Sequence, residues 1–600
     1  MKEPMPASLN LGVIGNCQVA SLIDGQGRHV WSCLPRFDGD PVFCGLLRAD
    51  PSGDAQGVFA VELDGCTRAK QSYLRNTAIL ETRLFSADGA EIRVLDFCPR
   101  FRQFGRNYHP PMLVRIVEPV AGHAVIRTRM RPLMAYGERP PVCRFGSNHV
   151  RFDGADWSMR MTTDASLTAV TEERAVVLRE PLTFILGPDE PIAESVGSLA
   201  RRFLAETARY WVDWVRSLAI PFEWQEAVIR AAITLKLCSF EDTGGVIAAM
   251  TTSIPEARGS GRNWDYRYCW IRDAYFTLQA LNGLGVTRTM EGYLHYLANI
   301  LASVEGNTLQ PVYGINGECA LTERIVTSLP GYRGMGPVRV GNQAHEQRQH
   351  DVYGAVILAA TQSFFDLRLT QPSDTSAFHQ LEVAGQRCIE LFDRPDAGLW
   401  EYRGRTRIHT FSSVMCWAGA DRLARIAAHL GLETRAEYWR AEANVIHERI
   451  CASAWDVQQN SFTESWGLPD VDASLLLLHE LGFLAADDPR FLGTISAIER
   501  ALRRGDYLLR YAGQDDFGRP ENAFNICTFW YVNALAVTGR KAEGREIFEN
   551  MLARRNALGL LSEHLDMVTG ELWGNYPQTY SLVGIISAAI RLSRSWEEAL

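Results

Sequence analysis

The feature that most constrains this chain is a change of hydrophobic period near residue 198. Before it, short apolar or alternating runs recur at 12–14, 18–23, 58–63, 78–85, 92–97, 112–117, 124–130 and 183–187. Turn formers separate them, as at Asp24-Gly25, Asp38-Gly39-Asp40 and Ala87-Asp88-Gly89. Alternation gives a strand one packed and one wet face, and many short strands of this kind predict an antiparallel sandwich. From Ser198 onward the apolar residues fall three to four apart, which is the helical period. After a helical linker the pattern predicts helices over 223–240, 272–284, 287–304, 351–368, 376–392, 414–430, 433–451, 471–481, 490–503, 524–538, 540–554 and 579–593. Helices in such number suggest pairs closed into a ring, although bundles and solenoids also stack helices; no tandem period is present. The expected units are a β-domain over 1–197, a linker over 198–222 and a helical domain over 223–600.

Charge and cysteine usage exclude several classes. With 61 Lys+Arg against 70 Asp+Glu, the net charge is −9 and there is no long basic run, so nucleic acid is not an expected partner. No stretch approaches the ~20 apolar residues of a membrane span. The first 18 residues lack an apolar leader core, and the 13 cysteines form no CxxC pair. Both point to reduced thiols and a cytoplasmic location. Pairing of the helical unit with a second copy stays open.

Phosphate and cofactor signatures are missing. Gly259-Ser260-Gly261-Arg262-Asn263-Trp264 lacks the third glycine of a dinucleotide loop, and there is no GxSxG elbow. His345-Glu346-Gln347-Arg348-Gln349-His350 has one residue too many to set both histidines on one helical face, so no metal is expected there.

What remains is carboxylates among aromatics, in loops. The chain carries 15 Trp, which fits either a large core or a site that stacks flat apolar ring faces. The densest cluster is Asn263-Trp264-Asp265-Tyr266-Arg267-Tyr268-Cys269-Trp270-Ile271-Arg272-Asp273. It reads equally as a sugar-binding wall or as an Arg–Asp network at a helix start. Gly398-Leu399-Trp400-Glu401-Tyr402-Arg403 sets a glutamate between two aromatics, a setting that suits a proton donor. Leu561-Ser562-Glu563-His564 offers a second carboxylate, followed by Gly574-Asn575-Tyr576-Pro577-Gln578. The ordinary alternatives are a surface glutamate in a turn and a loop-capping glutamate. Two carboxylates on distant loops are what glycoside hydrolysis requires; a gap of about 6.5–9.5 Å implies inversion and about 5–5.5 Å retention.

In order and spacing these segments resemble glycoside hydrolase family 15, which includes glucoamylases and bacterial trehalases. Further segments fit its bacterial branch: Gly331-Tyr332-Arg333-Gly334, 337–342 and 351–354. Ile14-Gly15-Asn16 with 31–38 looks like a trehalase-type N-terminal domain. The resemblance implies an α+β multidomain chain: an N-terminal antiparallel β-sandwich followed by a C-terminal (α/α)6 barrel. It implies an inverting, exo-acting α-glucoside hydrolase without a cofactor. Glu401 would be the general acid and Glu563 the general base. Trp264, Asp265, Tyr266, Trp270, Arg272, Asp273, Trp400 and Arg510 would contact substrate. The expected substrate is α,α-trehalose, with α-1,4/α-1,6 glucans as the alternative, and a non-catalytic carbohydrate-binding protein as the alternative of another class. One departure stands out. Tyr576-Pro577-Gln578-Thr579-Tyr580-Ser581-Leu582 replaces the usual Phe-Pro-Gln-Ala-Phe-Ser-His, which bears on the leaving-group side.

Overall fold

The computed structural model describes residues 7–48, 55–154, 158–303 and 308–599. Residues 1–6, 49–54, 155–157, 304–307 and 600 lie outside the described residues, and with them the end of the helix expected over 287–304.

The N-terminal part is two antiparallel sheets. One runs in the order Gly12–Gly15, Ala20–Ile23, His29–Cys33, Val58–Leu63, Val125–Arg131, Val176–Val177, with Pro41–Phe43 beside His29–Cys33. The other runs Val142–Phe145, His149–Asp153, Ser158–Thr163, Leu182–Pro188, Leu113–Ala121, Glu91–Phe97, Leu80–Ser86, Cys66–Tyr73. Alternation does its work here: Leu80, Thr82 and Leu84 are buried while Glu81 and Arg83 between them are not. Inward residues of both sheets, such as Ile14, Phe59, Val61 and Ile126 against Leu84, Val94, Val117 and Leu186, form one core. Cys66–Tyr73 has too few apolar residues to be legible as a strand; it is an outer strand that pairs only with Leu80–Ser86. A short helix, α1 (Leu167–Thr171), precedes the last strands.

The helical linker is α2 (Val196–Arg216). Its Val196, Leu199, Ala200 and Phe203 pack on Leu95, Phe97, Val114, Ile116 and Ile185, the outer face of the eight-stranded sheet. The middle of that sheet is therefore covered on both sides, which explains the consecutively buried runs at 113–117 and 183–187.

The remaining helices are α3 (Gln225–Leu237), α4 (Ile271–Gly283), α5 (Thr287–Ser303), α6 (Asp351–Phe365), α7 (Thr375–Leu391), α8 (Thr410–His429), α9 (Glu433–Ala454), α10 (Pro489–Leu502), α11 (Asn525–Val537), α12 (Lys541–Ala553) and α13 (Thr579–Leu592). In place of the helix expected over 471–481 there is a 3-10 segment, Ala473–Leu478, buried throughout. Packing closes a ring: α4 on α6, α6 on α8, α8 on the 3-10 segment, that segment on α11, α11 on α13, and α13 back on α4. The others lie outside it, for example α7 on α6 and α8, and α12 on α11 and α13. The inner elements are apolar almost all round, as α6 and α13 show, because both faces are covered. This is the (α/α)6 arrangement.

The two halves share buried polar contacts. Trp31 Nε1 donates to Met250 O at 2.8 Å, and Asn556 Nδ2 donates to Leu9 O and Leu11 O at 3.1 and 3.0 Å. Arg267, fully buried, donates to Gly39 O at 2.8 Å and to the Tyr136 hydroxyl at 3.2 Å. No helix among the described residues is long and apolar enough to cross a membrane.

Two buried histidines predict the response to acid. Burial, then the Arg407 and Arg405 charges, lower His409 to about 3. Burial and then Arg115 lower His29. Unfolded histidine takes its proton near 6.5. Between that value and the folded one the unfolded chain binds more protons, so stability falls as pH drops. The slope is about 1.4 kcal/mol per pH unit for each such group. Buried carboxyls raised to about 7, Asp273, Asp396 and Asp472, carry the opposite slope, so the histidine part is read by difference: acidification from pH 7 to pH 5 should lower the denaturant midpoint less in His409→Gln than in the unaltered chain. An identical pH dependence in the two chains would contradict the assignment.

Candidate active site

The loops leading into the inner helices converge at one end of the ring and line a pocket. Cys269–Trp270 pairs with Val312–Tyr313 and runs directly into α4, so Arg272 and Asp273 occupy the first turn of that helix. Asp351 opens α6, and Tyr580 lies in the first turn of α13. Arg272 donates from Nη1 to Asp351 Oδ2 at 3.1 Å and to Gln349 Oε1 at 2.8 Å. Its Nε lies 3.4 Å from Asp273 Oδ1, an oxygen that is buried and makes no hydrogen bond among the described residues. Burial pushes Asp273 up to about 7, opposed by the Arg272 charge and assisted by Glu401. Buried, ordered polar groups of this kind form a floor suited to gripping hydroxyls.

Glu401 sits on the loop before α8. Gly398 turns that loop with φ 70°, and a Cβ there would stand 2.6 Å from the His409 ring. Glu401 itself has φ 59°, a left-handed conformation that costs roughly 1–3 kcal/mol for a residue with a side chain. The neighbours hold it there. Trp400 Nε1 donates to Asp472 Oδ2 at 2.6 Å, and the Tyr402 hydroxyl donates to Glu464 Oε1 at 3.0 Å. Gln347 Nε2 donates to the Glu401 carbonyl at 3.2 Å. The Glu401 carboxyl lines the pocket and takes two N–H donors on the same oxygen, Oε1: Trp270 Nε1 at 2.6 Å and Gln349 Nε2 at 3.3 Å. Its other oxygen, Oε2, makes no hydrogen bond among the described residues.

Glu563 comes from a second loop, beside Glu256 of the pocket lining and one residue before the short strand His564–Leu565. Its backbone is fixed by Glu563 N to Asn575 O at 3.1 Å and Asn525 N to Glu563 O at 3.0 Å. Gly574 makes room for it: φ is 74° there, and a Cβ would lie 2.7 Å from both Cβ and Oε2 of Glu563. The carboxyl is 1% exposed; Oε2 accepts from Asn575 N at 3.4 Å, while Oε1 is buried with no hydrogen bond to the described residues. Tyr266 lies beside this carboxyl. Burial first, and then the Glu563 charge, hold its phenol proton on.

The structure brings Trp264, Tyr266, Trp270, Arg272, Asp273, Trp400, Glu401 and Arg510 into one pocket lining. Glu563 lies immediately behind it. Asp265 is the exception among the expected substrate contacts. It is fully buried and outside the pocket, and its carboxylate is taken by Arg267 at 2.8 and 2.7 Å and by Gly341 N at 3.3 Å. It is an anchor for the segment, and its place among sugar-gripping residues is withdrawn. Trp573, just before the Gly574 turn, does not line the pocket and packs edge-on against Tyr332 with ring centres 6.1 Å apart. Leu582, at the family departure, is buried in the core and does not line the pocket, whereas Tyr580 of the same segment does.

Several lining residues had no local signal. Trp530 lies inside a helix, α11, and Gln347 and Gln578 are isolated amides. Glu256 is the most consequential. It is 4% exposed and accepts from Arg510 Nη2 at 2.8 Å and Trp264 Nε1 at 3.0 Å. The Arg510 and His564 charges outweigh its burial and hold its carboxyl below the usual range. Its sequence neighbours, Pro255 and Ala257 before the Gly259-Ser260-Gly261 turn, give no hint of this. Glu256, Glu563 and His564 bring ligand-type atoms within 4.8 Å of one another. Arg510 already supplies the counter-charge there, so the donor set does not call for a cation.

Comparison with known proteins agrees with this geometry. A family model described as glycosyl hydrolases family 15 matches residues 224–590, and one described as trehalase-like, N-terminal matches 6–176. A trehalase of Thermoplasma volcanium is 31% identical over 606 residues, covering 98% of this chain and 93% of that protein. A trehalase of Mycolicibacterium smegmatis is 30% identical over 641 residues, covering 100% of this chain and 93% of that one. Among solved structures, a bacterial glucoamylase complexed with acarbose superposes with a TM-score of 0.69 over 98% of this chain and 95% of that chain. At 13% identity that likeness concerns the fold alone. With a family model that spans the ring of helices and relatives 31% and 30% identical over nearly its whole length, the chain belongs to glycosyl hydrolase family 15 and is a glycoside hydrolase.

Proposed function

We propose that the enzyme is an α,α-trehalase that acts by inversion, with Glu401 as general acid and Glu563 as general base. The observation that carries this reading is the asymmetry of the two carboxyls. Both N–H donors of Glu401 sit on Oε1, which leaves Oε2 as the oxygen that faces the glycosidic oxygen in this scheme. Glu563 Oε1, buried and unpartnered among the described residues, is an acceptor for the proton of an attacking water. In one step the water oxygen bonds to C1, C1 releases the leaving oxygen, Glu401 protonates that oxygen and Glu563 takes the water's proton. Arg272 and Asp273 grip hydroxyls of the glucose that is attacked, Arg510 adds a further contact, and Trp264, Trp270 and Trp400 flank the ring. No residue-bound sugar and no cofactor enters this scheme.

The choice of trehalose rests on the full-length relatives named trehalase and on the matched N-terminal unit. A glucoamylase-type specificity is the competing reading. Incubation with trehalose, maltose and isomaltose separates the two, and glucose from trehalose should exceed that from either of the others. Proton NMR of the first product should show one equivalent of β-glucose from the attacked ring. An exclusively α product would overturn inversion. We also assign the enzyme to the cytoplasm, a reading that rests on its 13 unpaired cysteines.

A further inference from the structure

One stretch of the pocket lining is a loop that bonds to two other segments of it. Residues 515–518 form a tight turn, closed by Asp515 N to Gly518 O at 3.0 Å. The turn is tied to both walls. On one side Arg262 donates to the two Asp515 oxygens at 2.7 and 2.5 Å, and to Gly518 O at 2.9 Å. The Arg262 and Asp515 side chains are only 5% and 7% exposed, although both line the pocket. On the other side Asp516 Oδ2 accepts from Arg403 N at 2.9 Å and Gly404 N at 3.0 Å, immediately beyond the Glu401 loop. A Cβ at Gly404 would stand 2.2 Å from Asp516 Oδ1, so the approach needs glycine there. Between the ties, the Phe517 ring meets Trp264 edge-on at 5.1 Å, and the Arg403 guanidinium lies 4.4 Å from the centre of the Trp264 ring.

A polymer-cutting site needs a groove that continues outward past the general acid, because the leaving chain must extend there. In this enzyme the residues just beyond the general acid, Arg403 and Gly404, are joined to a pocket-lining turn that is itself held through a buried bidentate ion pair. Charge-assisted bidentate pairs hold geometry well, and breaking one partner of a buried pair is costly. We propose that the 515–518 turn is a strap that ends the leaving-group side after one sugar ring, so that the enzyme accepts disaccharides and rejects substrates with a longer leaving group. The proposal rests on the reading of this pocket as the trehalose site, and it adds the residues that set the substrate's length: Arg262, Asp515, Asp516 and Phe517.

The test compares α,α-trehalose with 4-O-α-glucosyl-α,α-trehalose, whose trehalose bond can break only with maltose as the leaving sugar. The full chain should prefer trehalose by roughly 100-fold or more in kcat/KM, read as glucose from the first and maltose from the second. Asp516→Ala removes an exposed latch with little risk to folding, and Asp515→Asn weakens the other. Each should narrow the preference by about 10-fold or more, chiefly by raising activity on the trisaccharide relative to trehalose. Equal cleavage of both sugars by the unaltered enzyme would overturn the strap. So would variants that lower both activities in proportion. If the unaltered enzyme releases no glucose from trehalose, the trehalase reading falls by itself. Maltose against maltotetraose then reads the strap by the same ratio.

Discussion

Glu563→Ala should lower kcat on trehalose by roughly 10²–10⁴-fold while leaving KM within a few-fold. The reason is placement. Glu563 is almost fully buried behind the pocket wall, with Oε1 unpartnered among the described residues and Oε2 held by Asn575 N. It cannot contribute much to ground-state sugar binding, but without it the attacking water has no proton acceptor. Truncation also leaves room for a small anion. Azide should restore part of the activity and yield β-glucosyl azide, with nitrogen bonded to C1 on the face opposite the departing oxygen. Recovery of α-glucosyl azide, or no difference between Glu563→Ala and the unaltered enzyme, would remove Glu563 from the role of base.

Glu401→Gln should cost a comparable amount, about 3–5 kcal/mol of transition-state stabilisation for a 10²–10⁴-fold loss. The loss should depend on the leaving group. Trehalose departs as an alkoxide unless protonated, so the full penalty applies. Fluoride leaves without a full proton, so α-glucosyl fluoride should lose at least ten-fold less. The amide is isosteric and still accepts from Trp270 Nε1, the 2.6 Å contact that holds the side chain. Its NH2 is far too weak an acid to pass a proton to the leaving oxygen. Equal losses on both substrates would mean that Glu401 acts through pocket shape and not as an acid. The two variants therefore leave different signatures, rescue by an anion and dependence on the leaving group.

Much of this was legible because local signals and long-range order agreed. The switch of period near residue 198 marked the passage from strands to helices, and the α2 helix begins at Val196. Gly398, three residues before Glu401, marks a turned loop, and it has a positive φ of 70°. What stayed hidden had no local period to reveal it. The segment over 471–481 reads as a helix because it is apolar, but close packing on α8, α10 and α11 leaves it as a 3-10 segment, Ala473–Leu478. Asp265 reads as a site residue because its neighbours are; only the three-dimensional path shows Arg267 consuming its carboxylate. Glu256 and Trp530 reach the pocket from positions whose sequence surroundings look structural. Burial of a charged partner is a long-range fact, and alternation or helical spacing does not encode it.

The Asp265–Arg267 pair has a consequence for how this protein can be taken apart. Two family models match it as if it were two separable modules. Yet Arg267, three residues before Trp270 in the pocket wall, spends its remaining donors on Gly39 O and the Tyr136 hydroxyl of the sandwich. Trp31 of the sandwich caps the Met250 carbonyl on the segment just upstream. Cutting the chain at the apparent seam would expose a buried guanidinium and loosen the back of the wall that holds Trp270 and Arg272. The smallest heritable unit of this active site is thus the whole two-lobed chain, and recombination that exchanges helical lobes between relatives must carry the matching sandwich with them.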